Sequence, residues 1–184
     1  GQEEPLLESN APKFPGSWSS DGHFLAYEVR GAPTTGWDIW VLPLAADRTP
    51  KLFLQTQFSE GQPRFSPDGR WIAYFSNESG RNEVYVAPFP GPGRKWQISS
   101  SGGEEPRSRR DGREIFYLAD DSKITAVQVG ARGDTFEIGA AKALFQPLPL
   151  RRGNSYDVTG DGQRFLVNLL PQQQSSAPLT LVVH

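Results

Sequence analysis

Short apolar and aromatic runs recur along this chain, and each of four such runs follows an Asp-Gly pair. The pairs are Asp21-Gly22, Asp68-Gly69, Asp111-Gly112 and Asp161-Gly162. Asp-Gly between β-favouring runs indicates a hairpin turn, because glycine adopts positive φ without a Cβ clash and aspartate tolerates a left-handed turn. The pairs are about 43 to 50 residues apart, close to the length of one four-stranded propeller blade. The pattern therefore predicts four repeat units, each opening with a two-stranded hairpin.

Two further strand-like runs follow the hairpins. The third runs are rich in β-branched or aromatic residues, and shorter fourth runs close the first three units. No segment carries the pattern of a helix of about ten residues or more. We therefore predict an all-β chain, a β-propeller of four-stranded antiparallel blades. Its repeat units are expected at about 14–55, 60–99, 104–146 and 153–184.

The last unit lacks a fourth strand, and a candidate for that strand lies at the other end of the chain. Residues 5–8 precede the first hairpin at about the offset at which the other fourth strands precede theirs. If Leu6 and Leu7 pair beside Leu181 and Val183, the ring closes and leaves no open strand edge. Two alternatives stay open: a single domain that is the C-terminal part of a larger propeller, and completion by a second copy in a homodimer.

Composition and charge fit this architecture and exclude several classes of function. The 184 residues are 36% hydrophobic and 11% aromatic, and 19 Gly and 16 Pro interrupt the short strands. The formal net charge of −2 gives no overall attraction for nucleic acid. No apolar stretch approaches the roughly 18 residues of a spanning helix, so we expect no membrane insertion. The absence of cysteine excludes disulfides and thiolate ligands.

Residues 65–74 (FSPDGRWIAY) and 77–86 (NESGRNEVYV) resemble TolB-type, WD-like β-propeller repeats. More narrowly, the run 4–183 is similar to the propeller found C-terminal to bacterial serine/threonine protein kinases, including 88–93 (PFPGPG). The resemblance implies a sensor or protein-interaction domain, commonly outside the cytoplasmic membrane. TolB itself and several peptidases carry similar repeats, so a substrate-gating or docking propeller of a peptidase and a TolB-like periplasmic interaction protein are alternatives.

One position departs from the pattern of the resembling repeats. Ser108 stands where an aromatic residue is expected on the first strand of a unit. A smaller side chain at that position fills less space between sheets, so weaker packing is predicted in the third unit.

The residue inventory contains no catalytic constellation. His23 follows an Asp-Gly turn, His184 is the last residue, and neither a Gly-x-Ser-x-Gly elbow nor a kinase Asp-Phe-Gly motif occurs. Residues 157–162 match the first half of a calcium loop, but Asn168 replaces the bidentate Glu that completes such a loop. A structural turn is the favoured interpretation there, with calcium the lesser alternative. We expect no enzyme activity in this chain, no metal and no cofactor.

The loops opposite the Asp-Gly turns are longer and more varied, and loops on a rigid scaffold are where binding residues concentrate. We predict that these loops bind a protein, peptide or small-molecule ligand, because exposed Trp, Tyr and Arg are frequent interface anchors. Trp37, Arg81 and Tyr156 are the principal anchors expected, although burial at the start of a third strand is equally compatible with Trp37. The basic run 107–110 is expected to be solvated or paired with nearby acids. The candidate binding residues are Trp37, Glu60, Gln62, Asn77, Arg81, Glu104, Arg151 and Tyr156.

Overall fold

The computed structural model describes residues 5–8, 10–31, 34–45, 48–91, 93–133, 135–147 and 153–169, together with the backbone of 179–183. This part of the chain contains β-strands and no helix, and therefore no helix able to span a membrane. The strands are β1 (Lys13–Trp18), β2 (Phe24–Arg30), β3 (Trp37–Pro43), β4 (Lys51–Leu54), β5 (Glu60–Phe65), β6 (Trp71–Ser76), β7 (Glu83–Pro88), β8 (Trp96–Gln97), β9 (Glu104–Ser108), β10 (Glu114–Leu118), β11 (Ile124–Arg132), β12 (Thr135–Phe145), β13 (Tyr156–Val158), β14 (Arg164–Asn168) and β15 (Leu179–Val183).

The strands form four antiparallel sheets in chain order, which we call blades 1 to 4. Blade 1 is β1-β2-β3-β4, blade 2 is β5-β6-β7-β8, blade 3 is β9-β10-β11-β12 and blade 4 is β13-β14-β15. Each strand pairs with its sequence neighbour, as expected where short turns connect antiparallel strands. The predicted all-β propeller architecture of four-stranded sheets is confirmed.

The four Asp-Gly pairs lie in the turns between the first and second strands. In blade 1 the N–H of Gly22 donates to the carbonyl of Ser19 over 2.9 Å, and the Asp21 carboxylate accepts the N–H of His23 at 2.9 Å. Gly22 has a φ of +73°, which a Cβ would strain. In blade 3 Arg109 donates two hydrogen bonds of 2.8 Å to the Asp111 carboxylate. The carboxylates of these pairs therefore fix the chain reversal.

Among the described residues the core consists of three apolar clusters, one between each pair of consecutive blades. This arrangement follows from sheets whose two faces both carry apolar side chains, so that each face is buried by the neighbouring sheet. Fully buried members include Ile39 and Tyr74 between blades 1 and 2, Val84 and Val127 between blades 2 and 3, and Phe116 and Phe165 between blades 3 and 4.

The described residues do not show the strand pairing that would close the ring. Residues 5–8 form no strand, and blade 4 has three strands in this part of the chain. Leu6 and Leu7 instead line a groove on blade 1 together with Tyr27 and Leu42. The N-terminal segment therefore lies next to apolar residues of blade 1.

The hairpin of β11 and β12 is longer than the sequence pattern predicts. The sequence pattern predicts a short fourth strand in this unit, but β11 continues to Arg132 and β12 runs from Thr135 to Phe145. Gly133, at a φ of +59°, supplies the turn between them. Phe136 packs edge-on against Trp71 of blade 2, with ring centroids 5.3 Å apart. This contact stabilises an extension whose outer residues are mostly exposed.

Candidate binding face

The edge of each blade opposite the Asp-Gly turns is formed by the start of the first strand, the end of the second and the start of the third. In blade 2 the register places Glu60 opposite Ser76 and Ser76 opposite Glu83. In blade 1 it places Arg30 opposite Trp37. We call this side of the molecule the loop face.

Two candidate residues from different blades are joined through one serine. The backbone N–H of Trp37 donates to Ser59 Oγ at 3.3 Å, and the N–H of Ser59 donates to Asn77 Oδ1 at 2.9 Å. Asn77 is exposed and Trp37 is half-buried. These bonds hold the loops of blades 1 and 2 together on the loop face.

An exposed aromatic and cationic cluster surrounds Trp37. The Phe14 ring meets the Trp37 ring edge-on at 5.3 Å, and the Arg30 guanidinium lies 6.0 Å from the Trp37 ring centroid. Phe14 is 51% exposed, although it is a large apolar side chain. We call these three residues the Phe14–Arg30–Trp37 cluster.

Two carboxylates of blade 2 lie beneath the loop face and are almost completely buried. Glu60 Oε1 accepts hydrogen bonds from the Thr56 and Ser76 hydroxyls, whereas its Oε2 has no partner among the described residues. Burial raises the pKa of Glu60, and the Asp38 carboxylate raises it further. The Glu60 side chain therefore contacts other protein groups rather than solvent.

Both carboxylate oxygens of Glu83 accept hydrogen bonds, whereas only one oxygen of Glu60 does so among the described residues. Glu83 Oε2 accepts the Ser99 hydroxyl and its Oε1 accepts the N–H of Gly102 at 2.9 Å. The candidate Arg81 lies above it, with Nε 3.4 Å from Glu83 Oε1 and its own side chain 57% exposed. Arg81 therefore remains available to solvent while its position is fixed by a buried acid.

A chain of hydrogen bonds links the four blades, from β2 of blade 1 through the first strands β5 and β9 of blades 2 and 3 to the segment just before β13. Glu28 Oε2 of blade 1 accepts the N–H of Gln62 at 2.7 Å, and Gln62 Oε1 accepts the N–H of Glu105 at 2.7 Å. The Glu105 carboxylate in turn accepts the N–H groups of Gly153 at 3.1 Å and Ser155 at 2.6 Å. Blades 1, 2 and 3 thus each supply a side-chain acceptor for a backbone N–H in or just before the first strand of the next blade.

Two arginines at matching positions, Arg64 of β5 and Arg107 of β9, also connect the first strands of neighbouring blades. Arg64 Nη1 donates to the Gly16 carbonyl of blade 1 at 2.6 Å, and Arg107 Nη2 donates to the Tyr156 carbonyl of blade 4 at 3.3 Å. Burial lowers the pKa of Arg64 to about 10, and the positive charge of Arg107 contributes. The Asp157 carboxylate lies 3.5 Å from Arg107 Nε and offsets part of this charge.

Tyr156 requires a correction, because it was expected as an exposed anchor. It is only 3% exposed, its hydroxyl donates to the Glu105 carbonyl at 2.9 Å, and the Arg107 guanidinium lies 5.4 Å from its ring centroid. Burial raises the pKa of its hydroxyl. The run 107–110 was expected to be solvated or paired with nearby acids; Arg109 is paired with Asp111, whereas Arg107 is not solvated but buried against Tyr156.

The other candidates are spread along the same face. Gln62 is half-buried within the inter-blade chain, Glu104 is half-buried at the start of β9, and Arg151 lies outside the described residues. Arg64 and Arg107 were not among the candidate binding residues. Their signal is a Pro-Arg pair, Pro63-Arg64 and Pro106-Arg107, that recurs at one distance before the Asp-Gly turn.

Two carboxylates of the calcium-loop candidate accept backbone hydrogen bonds at or near the Asp-Gly turn of blade 4. Asp161 Oδ1 accepts the N–H of Gln163 at 3.0 Å, and Asp157 Oδ1 accepts the N–H of Val158 at 2.9 Å. Within the described residues, no group of three or more His, Asp or Glu side chains is placed to hold a metal ion.

The chain has the fold of a repeat β-propeller domain and is similar in structure to solved TolB proteins. TolB from Acinetobacter baumannii superposes with a TM-score of 0.72 over 97% of this chain and 42% of that protein, at 19% identity. A putative TolB from Agrobacterium tumefaciens gives a TM-score of 0.58 over 74% of this chain and 52% of that one, at 20% identity. The β-propeller domain of the Trilobed protease from Pyrococcus furiosus gives 0.52 over 95% and 69%, at 16% identity. At these identities the likeness is one of fold.

Sequence comparison adds one relative. An uncharacterized protein of Agrobacterium fabrum is 23% identical over 125 residues, which are 65% of this chain and 40% of that protein. No protein-family model matches the sequence. The chain thus spans less than half the length of this relative and of Acinetobacter baumannii TolB.

Proposed function

We propose that this chain is a non-catalytic binding propeller whose loop face holds a protein or peptide partner. The Phe14–Arg30–Trp37 cluster is the observation that carries the proposal. Aromatic and arginine side chains dominate the binding energy of protein interfaces, because they bury a large area and still offer a polar contact. A large ring such as Phe14, 51% exposed beside a tryptophan and an arginine, fits that use.

The setting of the cluster supports the same proposal. Ser59 and Asn77 fix the adjoining loops, and the buried Glu83 fixes Arg81 from below. A partner would therefore meet a surface that is already ordered, which reduces the entropy lost on binding. The buried acids Glu83 and Glu105 are engaged by hydrogen-bond donors of the fold, which favours a structural role over an acid–base role for both.

The finer proposal is that the propeller is the extracytoplasmic sensor or interaction domain of a bacterial serine/threonine kinase. It rests on the sequence resemblance of the run 4–183 to such domains. A second candidate is a propeller that gates or docks the substrate of a peptidase, which the fold shared with the Trilobed protease favours. The two candidates predict different upstream coding sequences, namely a kinase domain with a spanning helix for the first and a hydrolase for the second.

The experiment compares two exposed aromatic side chains at opposite ends of β1. A partner is isolated from the source bacterium by cross-linking to the wild-type chain, and its affinity for purified variants is then measured by calorimetry. Phe14→Ala is expected to weaken binding about tenfold or more, as for an interface anchor. Trp18→Ala, which removes a 57% exposed ring near the Asp-Gly turn, is expected to bind like wild type. Loss of binding in Trp18→Ala alone would contradict the proposed location.

A further inference from the structure

One face of blade 1 is apolar but belongs to none of the three clusters that fill the described core. Ala26, Ile39 and Val41 face blade 2, so their neighbours along the same strands point to the opposite side, which we call the outer face of blade 1. The strand register places these neighbours side by side across the sheet. They are Trp18, Leu25, Tyr27, Trp40, Leu42 and Leu52.

Two of these side chains are exposed although they are large and apolar. Trp18 is 57% exposed and Leu52 is 47% exposed. Leu6 and Leu7 lie beside the same face and line a groove of about 350 Å³ with Leu25. Exposed apolar surface that is continuous in this way marks an interaction site.

The same positions of later blades are buried against the blade that precedes each. Trp18 stands three residues before the Asp-Gly pair of its blade, as Phe65 does in blade 2, where that ring is only 8% exposed. Leu25 and Tyr27 stand four and six residues after the aspartate of the pair. Their equivalents, which pack in the clusters between blades 1 and 2 and between blades 2 and 3, are Ile72 and Tyr74, and Ile115 and Tyr117. The outer face of blade 1 therefore has the pattern of a face that receives a preceding blade.

Residues 5–8 stand where the last strand of such a preceding blade is expected. Leu6 and Leu7 come 15 and 14 residues before the aspartate of the next Asp-Gly pair, and so do Phe53 and Leu54 of β4. Phe53 and Leu54 pack in the cluster between blades 1 and 2. Leu6 and Leu7 likewise lie at the outer face of blade 1, but residues 5–8 have no third strand to pair with in the described part of the chain.

We propose that the outer face of blade 1 docks a further four-stranded blade of this repeat, with residues 5–8 as its fourth strand. In blades 1 to 3 the fourth strand follows the third directly in the chain. The first three strands of the docked blade therefore precede residue 5 in the same polypeptide. The chain spans less than half the length of Acinetobacter baumannii TolB, whose fold it shares, so proteins of this fold have length for such a blade.

Blade 4 of a second copy fits this face less well. Phe165 and Val167 face blade 3, so Arg164 and Asn168 of β14 point to the opposite side of blade 4. Docking that side on the outer face of blade 1 would take a charged guanidinium and an amide out of water against apolar side chains, which is costly.

The first test compares this chain with a longer product of its native gene that begins one repeat, about 45 residues, before residue 5. Amide hydrogen exchange of residues 5–8 is expected to slow about tenfold or more in the longer protein, because pairing in a sheet protects backbone N–H groups. Unchanged exchange in a folded longer protein, or a gene without a strand-forming repeat before residue 5, would overturn the proposal.

The second test needs only the sequence of this chain and serves if the longer product does not fold. Residues 13–50, which carry β1 to β3, are duplicated directly before residue 4, so that 4–7 follow the copy as 51–54 follow the original. The copies of Ala26 and Ile39 can then pack on the outer face of blade 1, and exchange of residues 5–8 is expected to slow as in the first test. The control fusion carries Val41→Asp in the copy alone, because this side chain faces the next blade. A folded fusion whose residues 5–8 exchange as fast as those of the control would contradict the docking face.

The third test asks whether Trp18 becomes a core residue. In this chain Trp18→Ala is expected to change the melting temperature by no more than about 2 °C, because the ring is largely exposed. In the longer protein it is expected to lower the melting temperature by about 5 °C or more, because it removes a buried aromatic side chain. Ile138→Ala, which truncates a 40% exposed residue of blade 3, is the control and should have the same effect in both proteins. Equal shifts for Trp18→Ala in the two proteins would count against the proposal.

Light scattering separates the two occupants. The longer protein is expected to be a monomer, because its own blade covers the outer face of blade 1. A dimer of the longer protein that Trp18→Lys dissociates would show that a second copy occupies this face, and the proposal would then be wrong.

Discussion

The Oε1 atom of Gln62 accepts a hydrogen bond from the backbone N–H of Glu105 over 2.7 Å. Gln62 lies near the start of β5 and Glu105 near the start of β9, the first strands of neighbouring blades, and Glu105 accepts the N–H of Ser155 of blade 4 in the same way. The first strands of adjacent blades belong to different sheets, so the backbone hydrogen bonds within a sheet do not connect them. Side-chain acceptors of this kind therefore help to set the spacing of the blades around the loop face.

The Gln62 acceptor can be tested by substitutions that separate its hydrogen bond from its backbone conformation. Gln62→Ala is expected to lower the free energy of unfolding by about 1–2 kcal/mol, because the N–H of Glu105 loses its acceptor. Gln62→Gly loses the same bond but relieves a φ of +53°, so it should be less destabilising than alanine. Urea unfolding of the three proteins measures this. A glycine variant less stable than the alanine variant would contradict the expectation.

Glu105 is expected to hold blade 4 onto blade 3. The N–H groups of Gly153 and Ser155 donate to different oxygens of Glu105, so in Glu105→Gln the amide nitrogen would face one of them and leave it without an acceptor. We expect a loss of about 2–3 kcal/mol in unfolding free energy, since the bonds removed go to a charged acceptor. Amide hydrogen exchange should rise first in residues 153–158. The control Glu137→Gln changes an exposed residue of β12 and should leave exchange in blade 4 unchanged.

The fold could be predicted from the sequence because its strongest signals are local. Asp21-Gly22 and its three counterparts define turns within a few residues, and their spacing defines the repeat. Ser108 was expected to weaken packing in the third unit, and in the structure this residue lines a cavity between blades 2 and 3. These inferences need only the residues near each turn.

The contacts between the first strands of neighbouring blades could not be predicted in the same way. Whether Tyr156 and Arg107 are exposed depends on how blade 4 docks on blade 3, which is a contact between residues about 50 positions apart. The residues adjacent to Tyr156 and Arg107 in the sequence do not indicate that these two side chains are buried. The length of β11 and β12 likewise depends on the contact of Phe136 with Trp71 across two blades.

Acid sensitivity should be visible at the Asp-Gly turn of blade 3. The hydrogen bonds from Arg109 lower the pKa of Asp111 to about 2. A carboxyl whose pKa is lowered on folding adds stability above its unfolded value, near 3.9, and that stability is lost as pH falls toward 2. The melting temperature of Asp111→Asn should thus fall less steeply than that of wild type between these values. Parallel curves for the two proteins would contradict this.

Glu60 is expected to show the opposite sign. Burial and the nearby Asp38 carboxylate raise its pKa, so the folded state binds the proton more tightly than the unfolded chain does. Stability from this group is therefore present at low pH and is lost as pH rises through the raised pKa. Glu60→Gln keeps an oxygen for the Thr56 and Ser76 hydroxyls and removes the charge, so its stability relative to wild type should be greater at pH 8 than at pH 4.

Glu83→Gln is the matched control for Glu60→Gln, because Glu83 is equally buried on a nearby strand of the same blade. Both of its oxygens accept hydrogen bonds, so an amide nitrogen would meet either the Ser99 hydroxyl or the N–H of Gly102. It should therefore destabilise the fold at pH 8, by about 1–3 kcal/mol. Thermal unfolding of the three proteins across this pH range measures both effects. A Glu60→Gln variant that loses as much stability as Glu83→Gln at pH 8 would show that the unpartnered oxygen of Glu60 carries no penalty.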